Sequence, residues 1–246
     1  MRKVTKIKIL ILLKNFLFFI FLIIFPIFVL SIVRAALEKF RIFINENLFW
    51  ATINYSMFFA LFLLLRSFKR KEVDYISNEN WFYSFGRALT PSIMAFGIGF
   101  LATFGFIFIS DLFPLSQGVK EWISLPNQGY VEVFKEVKNN NAFFMLLWFF
   151  YIVVAAPLSE EIIFRGALQK FAERIIKKWD LDCIFVAFIF SLFHINSLSN
   201  AIFSFVVGFF LSKIRKDSGS INVSVWIHGV INFMGLLYGI IFQYKS

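Results

Sequence analysis

The chain has little of what soluble enzymes usually work with. Its 246 residues include one cysteine, Cys183, and two histidines, His194 and His228. A single cysteine excludes an internal disulfide and any cysteine-cluster metal site, and leaves the redox compartment open. No G-x-S-x-G elbow and no H-E-x-x-H helix occurs, which removes the serine-nucleophile and zinc-helix signatures. There is no Gly/Ser linker, no internal repeat and no stretch with the composition of a soluble domain. Acids are scarce, 15 Asp and Glu against 25 Lys and Arg, for a net charge of +10. That excess could point to nucleic acid, but the bases lie in short loops between apolar blocks. Such a pattern belongs to membrane orientation, so no nucleic-acid partner is expected.

What the chain does have is apolar length. Its residues are 59% hydrophobic and its mean hydropathy is +0.76, above the ~45–50% apolar content of soluble domains. The blocks run Ile9–Val33, Leu48–Leu65, Ala88–Ser110, Ala142–Leu168, Cys183–Phe193, Ile202–Leu211 and Ile221–Phe242. About 20 apolar residues cross a hydrocarbon core as a helix, so the first four and the last can span. The short fifth and sixth, separated by "HINSLSN", read as a tight hairpin. The first block follows a basic start but is too long for a signal-peptide core and ends at Arg34 without a cleavage-type site, so it reads as an uncleaved anchor. The expected fold is all-α: a polytopic integral membrane protein of about seven to eight helices. Residues 1–110 form N-terminal membrane helices without a signature, 111–141 an extracytoplasmic loop with little evident chemistry, and 142–242 a catalytic helical core. The glycines of "FGIGFLATFG" read as helix-packing notches.

Apart from Lys14 in the first block, the candidate ionisable residues in or at the edge of these blocks are Glu160, Glu161, Arg165, His194 and His228. An intramembrane ionisable group is a functional hypothesis by default, because its burial must be offset. Glu161 and Arg165, four apart with the acid first, suit a helical ion pair and could simply neutralise one another. Glu160 is rotated about 100° away and has no partner at that spacing. His228 and Asn232, also four apart, could be packing glue between helices. Depth raises the functional reading. Counted from the cytoplasmic edge of each block at about 1.5 Å per residue, Glu160 lies roughly 15 Å deep, His194 and Asn232 roughly 17 Å, and His228 roughly 10 Å. Both histidines are expected inside apolar helices. The fourth block is too long to stand upright, and Pro157 is the expected hinge. Burial favours a carboxyl group that takes a proton from water, which suits Glu160 as a general base with a histidine sharing that water. A second histidine and an amide can donate to the oxyanion of an attacked carbonyl. Cys183, at the membrane edge, is a weak nucleophile candidate.

Three motifs occur in order: "EEIIFR" (Glu160 to Arg165), "FSLFH" (Phe190 to His194) and "HGVIN" (His228 to Asn232). Over roughly residues 140–240 the chain resembles the CPBP family, the CaaX-protease and bacteriocin-processing group of intramembrane proteases often labelled abortive-infection proteins. The resemblance implies Glu160 as catalytic base, His194 as its partner on the water, and His228 with Asn232 as oxyanion stabilisers. Glu161 and Arg165 would hold the local geometry. It implies a peptide or protein substrate at the bilayer and no cofactor, with a divalent metal such as zinc on Glu160, His194 and His228 as the alternative. Bacteriocin or pheromone processing and self-immunity are the contexts in view. The Lys-, Asn-, Ile- and Phe-rich composition suggests an AT-rich bacterial genome, where prenylated CaaX substrates are not expected. The competing class is a non-proteolytic membrane immunity or scaffold protein of the same fold. A transporter would want matched inverted halves, whereas these polar residues all lie in the C-terminal half.

The Lys/Arg bias sets the orientation. Arg2, Lys3, Lys6 and Lys8, then Arg66 to Arg87, Lys170 to Lys178 and Lys213 to Lys216, would all be cytoplasmic, with the N-terminus inside the cell membrane. Cysteine labelling in intact cells should place 66–87, 170–180 and 213–218 inside and 111–141 outside. Protection of an engineered cysteine near Lys135 from an impermeant reagent would overturn this arrangement.

Overall fold

The computed structural model describes residues 81–125, 130–131, 133–134, 138–139, 142–176 and 180–242. The first two expected spans lie outside the described residues. The described part is helical without strands: α1 (Trp81–Asp111), α2 (Gln117–Ser124), α3 (Ala142–Ile175), α4 (Leu181–Leu192), α5 (Leu198–Ser218) and α6 (Ile221–Phe242). The helices α1, α3, α5 and α6 are long and apolar enough to cross a membrane. Apolar side chains left outward on α1, among them Leu101, Phe104, Phe108 and Leu112, suit contact with lipid tails.

Small residues let the helices approach. On α1, Ser84, Ala88, Ser92, Ala95 and Gly99 recur every three or four positions on a buried face. Ala88 and Ala95 meet Val207 and Leu211 of α5 and Val223, Ile227 and Ile231 of α6 in one core. Of the expected packing notches only Gly99 is one: a methyl there would meet the Phe203 ring at 3.0 Å. Gly97 and Gly105 have nothing within 4 Å among the described residues.

The hairpin differs from its expected form. α4, at 12 residues, rises only about 18 Å and cannot cross. α5, by contrast, is 21 residues and of spanning length. His194 therefore lies just past the end of α4, in a turn, and not inside an apolar helix. A turn at that depth must satisfy its own backbone. Asn200 does so, its amide donating to the His194 carbonyl at 2.8 Å and to Asn196 at 2.6 Å. Ser197 caps α5 by accepting from the Asn200 N–H. The other end of α5 closes on Gly219, whose φ of 67° ends the helix and turns the chain directly into α6.

α3 is continuous but locally unwound twice, with π-helical turns at Tyr151–Ala155 and Ile162–Leu168 bracketing the two glutamates. Pro157 sits at the end of the first π turn, which fits its expected role as the place where α3 departs from a straight helix. The Ala156 N–H reaches five residues back to Tyr151, and Pro157 has no N–H to offer. The Ile152 carbonyl therefore loses both intrahelical donors. The Asn232 side chain of α6 fills that vacancy, donating to the Ile152 carbonyl at 2.9 Å. One turn away Gly229 passes so close that a methyl would lie 2.7 Å from the Val153 carbonyl oxygen.

That contact is backbone to backbone and has no side chain to yield. Gly229→Ala should overpack this crossing, costing about 1–3 kcal/mol and lowering the thermal midpoint in detergent. Gly105→Ala should stay within about 1 kcal/mol of the parent and favour the helix. Equal midpoints for the two variants would contradict the close crossing.

Candidate active site

The fully buried Glu161 and Arg165 pair along α3 as their spacing predicts, with Nη1 to Oε1 at 2.8 Å. The pair does more than neutralise itself. Arg165 Nη2 donates to the Gly208 carbonyl of α5 at 3.0 Å, and its guanidinium lies 4.6 Å from the centre of the Phe190 ring. One turn on, buried Gln169 donates to the Ser212 carbonyl at 2.8 Å, and Glu173 pairs with Arg215. Polar groups of α3 thus meet α5 at successive turns, locking the register of the two helices.

Glu161 also accepts from Nδ1 of His228 at 2.9 Å. The ring of His228 is thereby fixed with Nε2 turned to Glu160, 3.8 Å from its Oε2. His194 is held by a different acceptor, donating from Nδ1 to the Phe190 carbonyl at 2.9 Å. Its Nε2 lies 3.6 Å from the same Oε2 of Glu160. Phe190 braces both rings, with centroids 4.3 Å from His194 and 5.8 Å from His228, and stands edge-on to Phe164 at 5.0 Å.

The structure therefore brings Glu160, His194 and His228 together, and sets Asn232 one turn from His228 with one amide hydrogen committed to Ile152. Glu160 and His194 remain about a quarter exposed, at 26% and 22% of their side chains, while Glu161 and Arg165 are sealed. Oε2 of Glu160 is buried and has no hydrogen-bond partner. Two histidine nitrogens flank it just beyond direct hydrogen-bonding distance, and His194, whose Nδ1–H is committed to the Phe190 carbonyl, turns its Nε2 lone pair there. The carboxylate oxygen and His194 Nε2, two acceptors facing one another, need a shared proton source. A water molecule fits distances above 3.5 Å and supplies two hydrogens.

A zinc ion bound at about 2.0–2.1 Å per nitrogen would want ligand atoms roughly 3.3 Å apart. Both imidazole Nε2 atoms flank the same carboxylate oxygen, at 3.6 and 3.8 Å. Among the described residues, a second group whose ligand atoms all lie within 4.8 Å of one another is Asp180, Asp182 and Cys183. The Asp180 group is itself occupied by ion pairs with Lys213 and Lys216. Cys183 is buried beside those acids, away from both histidines in the fold's motif positions.

Sequence reasoning did not anticipate three features. The Glu161–His228 bond joins residues 67 apart, a distance no helical spacing reveals. Phe190 was visible as the first letter of its motif, without a role. Gln169 carries no motif signal beyond standing four residues after Arg165.

The fold and site together define a class: a polytopic helical membrane protein with a carboxylate set between two imidazoles. More specifically, residues 142–234 match the family model described as type II CAAX prenyl endopeptidase Rce1-like, over the stretch that carries all three motifs. No curated protein and no solved structure matches the chain.

Proposed function

We propose that this protein is an intramembrane endopeptidase in which Glu160 activates water without a covalent enzyme intermediate. The observation that carries the reading is the unpartnered Oε2 of Glu160 between Nε2 of His194 and Nε2 of His228. A water held by Glu160 and His194 attacks the carbonyl carbon, and its proton passes to Glu160. His194 suits this step because its Nδ1 donates to a neutral carbonyl, leaving Nε2 as an acceptor for the water. His228 suits a different step. Its Nδ1 faces the Glu161 carboxylate, which offsets the charge of a protonated ring, and Nε2–H then donates to the forming oxyanion. The proton on Glu160 goes to the departing amine nitrogen as the C–N bond breaks, giving a carboxyl and an amine product. The substrate is a membrane-associated peptide or protein, in bacteriocin or pheromone processing or in self-immunity.

The two adjacent glutamates are assigned unlike tasks, and isosteric variants separate them. The assay uses purified full-length protein in proteoliposomes with a pool of prenylated and unprenylated membrane peptides, read by mass spectrometry. Glu160→Gln should fold and insert normally yet lose activity by at least the ~10²–10⁴-fold typical of a general base. Glu161→Gln should lose both activity and yield, since it removes the counter-charge of Arg165 and of a protonated His228. Near-normal cleavage by Glu160→Gln would remove that residue from the mechanism. Absence of cleavage by the parent protein across the pool would favour a non-proteolytic immunity or scaffold role.

Exhaustive chelation discriminates the reaction type. Activity should survive it, because the proposed base acts on water directly. Loss of activity restored specifically by zinc would instead assign Glu160, His194 and His228 as ligands and the reaction to Lewis-acid chemistry.

A further inference from the structure

The connection between α2 and α3 contributes to the core. Within it Tyr130 and Phe134, both partly buried, pack with Val133, Trp148, Ile152 and Leu236. They do so through two glycines of α6. A methyl on Gly235 would lie 2.6 Å from the Tyr130 hydroxyl, and one on Gly239 would overlap the tip of the Phe134 ring. Those glycines follow His228 and Asn232 at helical intervals of three or four. The stripe of α6 that carries the site therefore continues into the notch that receives the Tyr130 hydroxyl. The cluster holding this ring includes Ile152, whose carbonyl is the anchor of Asn232. No hydrogen bond of the Tyr130 hydroxyl is found among the described residues. Burial first, and then the charge of Glu160, push the phenol above its ordinary value. It stays protonated, a donor set against the same stripe of α6 that carries His228 and Asn232.

We infer that Tyr130 is a further catalytic residue, donating its phenolic hydrogen to the carbonyl oxygen of the bound substrate as that oxygen becomes an oxyanion. The inference rests on the proposed hydrolysis and supplies a need within it. Asn232 has one amide hydrogen committed to Ile152, so α6 brings His228 and at most half of an amide to the oxyanion. A phenol beside Gly235 adds a donor from the opposite segment. The role explains why a glycine stands at 235, where any side chain would displace the hydroxyl.

The test uses the best-cleaved peptide of the pool above. Tyr130→Phe keeps the ring in its notch and removes only the hydroxyl. It should lower kcat by about 10²–10³, the usual cost of one oxyanion donor, with KM and the thermal midpoint little changed. Gly235→Ala meets the Tyr130 hydroxyl at 2.6 Å and its ring at 3.0–3.1 Å but no backbone, so it should fold, displace the hydroxyl and lower kcat similarly. In the Tyr130→Phe background Gly235→Ala should add almost nothing, since both changes remove one interaction. A Tyr130→Phe variant with kcat within threefold of the parent, while Glu160→Gln is inactive, would overturn the role of Tyr130 and leave the hydrolytic reading standing. Additive losses in the double variant would reduce Tyr130 to a packing residue. Cleavage by Glu160→Gln, or none by the parent protein, would bring down the hydrolytic reading itself, and Tyr130's role with it.

Discussion

One buried carboxylate organises the rest of this domain. Glu161 is sealed from solvent and shares a single oxygen between Arg165 and His228. Placing a charge there is costly, and breaking such a pair typically costs about 3–5 kcal/mol. The arrangement is tolerable because every charge in it has a second tether. Arg165 reaches the Gly208 carbonyl and covers the face of Phe190, and His228 is braced by that same ring. Through this one oxygen, α3 is tied at once to α5 and to α6. The position of His228 thus depends on a residue that never faces the reacting groups.

Gly208 shows how tightly the packing serves that tether. A methyl there would press on the Phe190 ring at 3.0 Å and on the Ala187 backbone at 3.3 Å. The absent side chain lets α4 and α5 close as a hairpin, puts Phe190 beneath the guanidinium and exposes the carbonyl that Arg165 needs. Packing and polar satisfaction are met by the same residue, which is how a low-dielectric interior tolerates a full charge.

Much of this was legible in the sequence because bilayers impose simple rules. Spanning length and apolar content mark α1, α3 and α6, and ionisable residues stand out against them. The i,i+4 order of Glu161 and Arg165 announced their pairing. What was not legible arises between segments. α5 looked short because Ser, Lys and Arg interrupt its apolar run, yet Ser204 and Ser212 are buried against neighbouring helices and do not end it. His194 looked helical because "FSLFHI" has no Gly or Pro to stop a helix; the stop comes from Asn200 and Ser197, which hold the turn from outside. The π turns leave no mark of their own beyond Pro157, and the segment near Tyr130 resembled an ordinary polar connection. Its place was set by two absent side chains on α6.

The two π turns explain how neighbours as close as Glu160 and Glu161 come to live in such different surroundings. In a regular helix adjacent residues already point about 100° apart. Each π turn adds a residue to one turn and shifts the face presented beyond it. The short α-helical stretch Ala156–Glu161 between them is thus free to turn Glu161 inward to Arg165 and His228 while Glu160 looks toward the partly exposed gap beside His194. The first π turn also frees the Ile152 carbonyl that captures Asn232, so the same irregularity that aims Glu160 anchors the helix carrying His228. Local unwinding therefore acts as a positioning device. It lets one helix present a sealed structural charge and a partly exposed carboxylate at consecutive positions, and it hands the resulting vacancy in its own backbone to the partner helix as a docking point.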